Sequence, residues 1–319
     1  MRINFGYVAM SKVVKNCSPS QTVTVKNLTK IEDEEVRLYK LNSIAKSNIK
    51  NTQRLFYHNN AHDIKMYRLT SKLIPLATHP ITRNWDWYDA TKEDLKALGD
   101  YAKEKGFRIS AHPDHYTLLN SPKEEILQTS LRDLEYHYKI FQGMGLDISS
   151  KLILHIGGRY KSKDKSIERF INNFSIIPEH LKKILILEND DKTYTAKEVL
   201  DICEKISVPM VLDIHHHWCN NNGEDISDFL GNIFDTWNYE DISPKIHLSS
   251  PKDEKNFRSH ADNIDISFFM EFLEKAKKVN RDFDVMIEAK NKDLALFNLM
   301  KELENISEIE VINQASIEY

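Results

Sequence analysis

The chain has 319 residues, 41% of them hydrophobic and 29% charged, with a formal net charge of -4. This composition is typical of a folded globular protein and excludes a low-complexity chain. The small negative charge gives no global attraction to nucleic acid, although bound cations could make one face locally positive. No apolar run reaches membrane-spanning length, and three cysteines at unrelated spacings predict no disulfide framework. We therefore expect a cytoplasmic protein without a membrane partner.

The N-terminal region predicts one strand, a long loop and two helices. Residues 2–9 are typical of a strand in which Gly6 lies where the backbone must pass closely. The polar stretch 10–29 predicts a long loop, and long ordered loops are usually functional. Acidic residues at 32–35 favour a helix start, and a second helix is expected through residues 66–67.

Seven further apolar runs follow, separated by segments with helical periodicity. The runs are 73–77, 108–111, 152–154, 184–187, 209–212, 245–248 and 285–287. The helical segments include 92–105, 122–141, 196–206, 266–279 and 294–303. Alternating strands and helices predict a parallel sheet with right-handed crossovers. Eight such units in a chain of this length predict a closed (β/α)8 TIM barrel, with residues 1–319 forming one domain.

Polar side chains end almost every predicted strand. The residues at these positions are His79, His112, His155, Glu188, Asp213, His247 and Glu288. In a closed barrel the strand ends converge on one mouth, so these residues become neighbours. A single histidine is more often solvated or satisfied in the core, but recurrence at equivalent positions favours a shared site. Imidazoles and carboxylates packed this closely need cations, so we expect two or three divalent ions.

The segment 210–218 shows this pattern most clearly. An apolar run suited to a strand buried on both faces is followed by Asp213 and three consecutive histidines, 215–217. Asp213 and His216 offer oxygen and nitrogen ligands close together, which suits a divalent metal.

A polynuclear site at a barrel mouth allows more than one function. It suits phosphodiester hydrolysis, because divalent ions lower the pKa of water and stabilise a leaving oxygen. Isomerisation or epimerisation of a sugar on the same barrel stays open, although it needs a smaller, closed pocket. A catalytically silent DNA-binding protein is a third interpretation, but it would not need so many converging ligands.

Eight short motifs add a family resemblance to this pattern. They are GYV at 6–8, AHPDHY at 111–116, HIGG at 155–158, LEND at 187–190, DIHH at 213–216, KIHLSS at 245–250, HAD at 260–262 and MIEAK at 286–290. Together they resemble the UV damage endonuclease family, whose barrel is related to endonuclease IV. The resemblance implies ATP-independent incision immediately 5′ to cyclobutane pyrimidine dimers or 6-4 photoproducts in duplex DNA. Incision at abasic sites is the alternative within the same group of barrels.

The resemblance also implies a metal centre and its ligands. The implied ligands are His79, His112, His155, Glu188, Asp213, His216, Lys245, His247, His260 and Glu288. The implied catalytic residues are Glu188, Asp213, Lys245 and Glu288. Manganese is the implied metal, with zinc or magnesium as alternatives. The carboxylated lysine of the family maps onto Lys245, where an anionic carbamate suits nearby cations better than an ammonium ion; the alternative is a surface lysine.

Lesion recognition is expected from aromatic side chains near the metal centre. His115 and Tyr116 offer flat rings that can stack on bases, and the resemblance implies a duplex-probing pair here. The family commonly has Gln where this chain has His115. Tyr7 is expected to contact the lesion, or else to be a core aromatic with a satisfied hydroxyl. The expected partner is UV-damaged double-stranded DNA, bound by a monomer without an obligate protein partner.

Overall fold

Ten strands and eleven α-helices make up the computed structural model, which describes residues 1–319. The strands are β1 (Arg2–Val8), β2 (Met66–Leu69), β3 (Arg108–Ala111), β4 (Lys151–His155), β5 (Leu185–Glu188), β6 (Met210–Asp213), β7 (Lys245–Leu248), β8 (Phe283–Ile287), β9 (Glu310–Asn313) and β10 (Ser316–Glu318). The helices are α1 (Val25–Leu28), α2 (Glu34–Ala61), α3 (Trp87–Glu104), α4 (Glu124–Gly143), α5 (Lys163–Ile176), α6 (Glu179–Lys182), α7 (Ala196–Ile206), α8 (Ile214–Cys219), α9 (Leu230–Asp235), α10 (Ile266–Val279) and α11 (Asp293–Leu303). Two 3₁₀ turns cover Pro80–Thr82 and Ile226–Asp228. None of the helices combines the length and the apolar character needed to span a membrane.

The first eight strands close into a parallel barrel, which confirms the predicted TIM barrel. Each of β1 to β7 pairs with the next strand along the chain, and β8 pairs with β1 to complete the ring. Gly6 on β1 lies against β2, and a Cβ there would overlap the backbone of Met66. The predicted close backbone approach at Gly6 is therefore confirmed.

A C-terminal hairpin that the sequence did not predict extends the barrel wall. Strand β10 pairs antiparallel with Arg2–Asn4 of β1, and β9 pairs with β10. The second half of β1, from Gly6 to Val8, pairs with β2. Because β9 and β10 are short and β9 is largely exposed, they lack the apolar run that identifies a buried strand.

The second strand lies elsewhere than predicted. Residues 73–77 form turns rather than a strand, and β2 is Met66–Leu69, where a second helix was expected. Leu73 and Ile74 are buried in the core although they belong to turns, so their apolar character does not indicate a strand. The residue near the end of β2 that reaches the mouth is therefore Arg68, and His79 lies ten residues beyond the strand.

Most of the apolar core lies between the barrel wall and the surrounding helices. It forms one cluster of 75 buried residues. On α7, Ala196, Val199, Leu200 and Cys203 recur at helical spacing and turn one face to the strands. A separate cluster of Ile153, Ile186, Val211 and Trp237 fills part of the barrel interior. The polar residues at the C-terminal ends of the strands lie above this cluster, at the mouth of the barrel.

Candidate active site

Glu188, the last residue of β5, lies at the centre of the barrel mouth and is fully buried. Its Oε2 is 3.1 Å from His112 Nε2 and 3.7 Å from His155 Nε2. Its Oε1 is 2.7 Å from His247 Nδ1. One carboxylate therefore faces imidazoles from three other strands.

Two groups of possible metal ligands share this carboxylate. The first is His112, His155 and Glu188, and the second is Glu188, Asp213, His247 and Glu288. Within each group the ligand atoms lie within 4.8 Å of one another. Glu188 therefore offers a ligand atom to each of the two groups.

The donor atoms fit divalent cations. Asp213 Oδ1 accepts a hydrogen bond from the His216 backbone N–H at 2.8 Å, but the buried Oδ2 has no hydrogen-bond partner. An unpaired buried carboxylate oxygen is costly, and a cation would satisfy it. Nitrogen and oxygen donors without thiolate suit manganese, zinc or magnesium rather than a soft metal.

Backbone carbonyls orient four of the histidines. The Nδ1 atoms lie within hydrogen-bond distance of carbonyl oxygens: His112 with Pro113 at 2.9 Å, His155 with Glu188 at 3.3 Å, His216 with Asn189 at 3.0 Å and His260 with Glu288 at 3.0 Å. A carbonyl can only accept, so each Nδ1 donates its proton, and in the neutral ring the lone pair then lies on Nε2. This is the usual way a protein prepares a histidine to ligate a metal.

The charges of the cluster shift the pKa values of its members. Burial opposes protonation of His216, but the carboxylates led by Asp213 outweigh burial and raise the pKa to about 9. Burial would raise the pKa of Glu188, yet the imidazoles led by His247 hold it well below its usual range. In the metal-free protein a protonated histidine therefore serves as counter-ion, and a divalent cation would compete with that proton.

The outer ligands approach the two groups from the rim. His260 Nδ1 is 4.0 Å from the Glu288 carboxylate, and the rings of His216 and His260 are 6.1 Å apart. His215, in contrast, is fully buried, with Nδ1 2.8 Å from the hydroxyl of Ser249. The ring of His217 packs edge-on against Phe229, with centroids 6.1 Å apart, so of the three consecutive histidines only His216 reaches the cluster.

Lys245 is buried in the barrel, with 1% of its surface exposed. It lies two residues before His247 on β7 and so on the same inward face of the strand. Burial, followed by the positive charge of Arg108, holds its pKa well below the usual range. The alternative of a surface lysine is wrong, whereas carboxylation stays a prediction.

Arg68 is a residue of the site that the sequence analysis missed. Its buried guanidinium forms an ion pair with the carboxylate of Glu288. Burial opposes ionisation of Glu288, but Arg68 and then His247 outweigh it and lower its pKa. The signal available was the Met66–Leu69 run before the polar pair Thr70-Ser71, a pattern obscured when residues 66–67 were assigned to a helix.

His79 is not brought to the cluster. It is exposed and caps the 3₁₀ turn Pro80–Thr82, with Nδ1 accepting a hydrogen bond from the Ile81 backbone N–H at 3.1 Å. The expectation that it ends a barrel strand was wrong because 73–77 is not a strand.

Tyr7 is also placed differently from the lesion contact expected. Its ring is completely buried and packs edge-on against Tyr67, with ring centroids 5.7 Å apart. Its hydroxyl donates to Asn59 Oδ1 on α2 at 2.6 Å. The side chain thus points to the helix layer, as in the alternative of a core aromatic with a satisfied hydroxyl.

The two rings of His115 and Tyr116 stand at the mouth. They follow β3 and the ligand His112 on one loop, with ring centroids 3.9 Å apart. Tyr116 has 72% of its surface exposed. An exposed aromatic pair therefore lies on the same loop as a candidate metal ligand.

Comparison with known proteins identifies the family. Residues 3–319 match the family UV-endonuclease UvdE. The chain is 44% identical over 319 residues to the UV DNA damage endonuclease of Bacillus cereus (strain B4264), with 100% of both chains covered. It is 45% identical over 321 residues to that of Halalkalibacterium halodurans, covering 100% of this chain and 99% of the relative.

Solved structures agree with this assignment. The crystal structure of SacUVDE matches with a TM-score of 0.83 at 31% identity, covering 95% of this chain and 100% of that one. A D-tagatose 3-epimerase-like protein matches with a TM-score of 0.52 at 17% identity, covering 76% of this chain and 88% of that one, which shows a shared fold alone. The chain therefore belongs to the UV-endonuclease UvdE family, as its motifs predict.

Proposed function

We propose that the chain incises duplex DNA immediately 5′ to cyclobutane pyrimidine dimers and 6-4 photoproducts, by metal-dependent hydrolysis and without ATP. The observation that carries this proposal is the pair of ligand groups sharing Glu188, beside the exposed rings of His115 and Tyr116. Family membership supports a DNA endonuclease, and the imidazoles and carboxylates at the barrel mouth are suited to metal-dependent hydrolysis.

The proposed cofactors are two or three divalent ions, with manganese preferred over zinc or magnesium. One ion would be held by His112, His155 and Glu188, and a second by the group that adds Asp213, His247 and Glu288. His216 and His260 offer ligands for a third. Bound ions would lower the pKa of water and neutralise charge on the scissile phosphate.

The protein's own groups position these ligands. Arg68 holds the Glu288 carboxylate in one orientation, and the Asp213 Oδ1 contact with the His216 backbone fixes Asp213. The carbonyl contacts of the four histidines direct Nε2 into the mouth. A ligand set held in this way loses little freedom when ions and DNA bind.

Carboxylation of Lys245 is part of the proposal. Addition of carbon dioxide to the neutral amine forms a carbamate N–C bond and releases one proton. The product is an anion on the inward face of β7, below His247. Complete burial of the side chain supports this chemistry, because an isolated ammonium ion is unfavourable in such a position.

Lesion recognition is assigned to His115 and Tyr116. A photoproduct lies within the base stack, so an enzyme that acts on it must extrude the damaged pair and fill the gap. Two exposed rings on the His112 loop are suited to that task. His115 preserves the stacking surface of the Gln common in the family while changing its hydrogen-bonding groups. We assign the whole activity to a monomeric single domain of residues 1–319.

The proposal is tested by nicking of supercoiled plasmid. Purified protein with manganese should convert irradiated plasmid to the open circle and leave unirradiated plasmid intact. Chelator should stop the reaction. Plasmid carrying abasic sites distinguishes the alternative endonuclease, since preferential nicking of that plasmid would overturn the assignment to photoproducts.

A further inference from the structure

The loop from β4 to α5 presents a second exposed aromatic ring at the barrel mouth. It follows the candidate ligand His155 and carries the sequence Gly157-Gly158-Arg159-Tyr160-Lys161. Tyr160 has 40% of its surface exposed. This ring therefore follows His155 by five residues in the sequence, on the loop next to that of Tyr116.

The backbone of this loop is held by buried side chains from three directions. Asn120, on the loop after β3, donates to the Gly158 carbonyl at 2.7 Å, and the Tyr194 hydroxyl, after β5, is 3.3 Å from the same oxygen. Ser166 of α5 donates to the Arg159 carbonyl at 2.8 Å. A loop fixed in this way presents its side chains in one arrangement before any ligand binds.

Tyr160 adopts a backbone conformation that side chains rarely take. Its φ is +48°, in the left-handed region that favours glycine. Such strain persists only where the surroundings impose it, and it concentrates at sites of function. A glycine would adopt this conformation without strain, yet the chain has a partly exposed tyrosine here.

The partly buried side chain of Arg169 packs against the Tyr160 ring. The Arg169 guanidinium lies 5.4 Å from the centroid of the Tyr160 ring. Arg169 is itself fixed, since Nε donates to the Asn120 carbonyl at 2.7 Å and Nη2 to Ser166 Oγ at 3.2 Å. One face of the ring is thus braced by the protein.

The charge around the ring suits a polyanion. Residues 159–169 contain five basic and two acidic side chains, and Arg159 and Lys161 flank the ring with exposed side chains. Lys163 is paired with Glu198 at 2.7 Å, so it contributes less. An aromatic ring between exposed cations is the pattern by which proteins hold a nucleic-acid strand.

We propose that this loop is a second DNA contact, in which the Tyr160 ring packs against a sugar of the duplex beside the incision site and Arg159 and Lys161 pair with adjacent phosphates. The inference rests on the proposed function, because the occupant is the DNA substrate of that activity. Because the loop is held in one conformation, the surface formed by Arg159, Tyr160 and Lys161 should raise the affinity for duplex DNA, damaged or undamaged. Discrimination of the lesion belongs to the His115 and Tyr116 loop.

The test measures dissociation constants for labelled duplexes with and without one cyclobutane dimer, in chelator so that no strand is cut. Tyr160→Gly removes the ring and suits the left-handed backbone, so the loop keeps its conformation. Loss of the apolar area that the ring buries on the DNA predicts roughly tenfold weaker binding, equal on both duplexes because the contact needs no lesion. Tyr160→Phe should bind as the wild type. Tyr239→Ala, which changes an almost fully exposed tyrosine remote from the mouth, is the matched control.

Replacing both Arg159 and Lys161 by Gln should reduce the slope of log Kd against the logarithm of the salt concentration by about two, one for each lost phosphate contact. The proposal is overturned if Tyr160→Gly binds both duplexes as the wild type does, or if it weakens only the damaged duplex. A ring with a purely structural role would lower the thermal unfolding temperature and leave Kd unchanged. Incision of irradiated plasmid by the wild type shows separately whether the proposed function holds.

Discussion

Arg68 and Glu288 form an ion pair at the barrel mouth, between the second strand and the eighth, with 10% and 13% of their side-chain surfaces exposed. The pair joins strands separated by β1, and it sets the orientation of a carboxylate in the second ligand group. Because the guanidinium lowers the pKa of Glu288, the carboxylate is kept ionised for a cation.

Arg68→Met should therefore weaken metal binding without removing a ligand. Loss of a residue that orients a metal ligand typically costs about 10- to 100-fold in metal affinity or activity. Isothermal titration with manganese measures the effect, and Arg132→Met on the exposed face of α4 is the control. Unchanged affinity in a folded Arg68→Met protein would show that the ion pair does not prepare Glu288.

Glu188→Gln should abolish incision while the fold survives. The amide has nearly the same shape but no negative charge, so it cannot bridge two cations. Elemental analysis should show fewer bound ions, and circular dichroism should match the wild type. Asp213→Asn is expected to behave in the same way. Wild-type protein that incises irradiated DNA in chelator with no bound metal would contradict the metal centre itself.

Lys245→Arg should lower activity, because a guanidinium can neither be carboxylated nor ligate a metal. In the wild type, incubation with ¹³C-labelled bicarbonate should give a carbamate carbon signal that acid treatment removes. Intact mass under gentle conditions should show the added carboxyl group. An unmodified Lys245 in fully active protein would remove this residue from the metal centre.

The stability of the metal-free protein should fall as pH rises towards 9. The folded pKa of His216 is about 9, above the ordinary histidine value, so protonation stabilises the fold. This contribution is complete below pH about 6.5, disappears as pH rises through about 9, and amounts to roughly 3 kcal/mol. Urea unfolding at several pH values, in chelator, measures it. His216→Gln should flatten the profile; an unchanged slope would show that His216 is not the counter-ion.

The sequence predicted the barrel because seven of its eight strands are apolar runs, and six of these carry polar residues at or beside their C-terminal ends. It misplaced the second strand because Met66–Leu69 carries Arg68 into the barrel, whereas the apolar 73–77 segment packs as turns. The local pattern of hydrophobic residues cannot show whether Arg68 lies on the exposed face of a helix or points into the barrel, where it pairs with Glu288. The pairing that decides it joins residues 220 positions apart.

The candidate site followed from the strand ends wherever the strands were correct. Tyr7 was misjudged because alternation along β1 alone does not say which face meets α2, and the bond to Asn59 settles the direction. The proposed DNA contact at Tyr160 could not be predicted from the sequence, because the left-handed backbone of this residue and its contact with Arg169 depend on the folded loop.

Tyr116→Ala should separate lesion recognition from chemistry. If the ring fills the gap left by an extruded photoproduct, its loss should cost roughly 1–3 kcal/mol of stacking. Bound metal should stay at the wild-type level, because Tyr116 belongs to neither ligand group. The defect should shrink on a duplex whose damaged pair is already unpaired, since less unstacking work remains. Equal defects on both duplexes, or loss of metal, would make Tyr116 a scaffold residue.

The most direct measurement is incision of an end-labelled duplex carrying one cyclobutane dimer at a defined position. With manganese, the wild type should cut the damaged strand at the phosphodiester immediately 5′ to the dimer and leave a 3′-hydroxyl that a polymerase can extend. Chelator and Glu188→Gln should each abolish the product. Incision elsewhere, equal incision of the undamaged duplex, or undiminished incision in chelator would contradict the proposed activity.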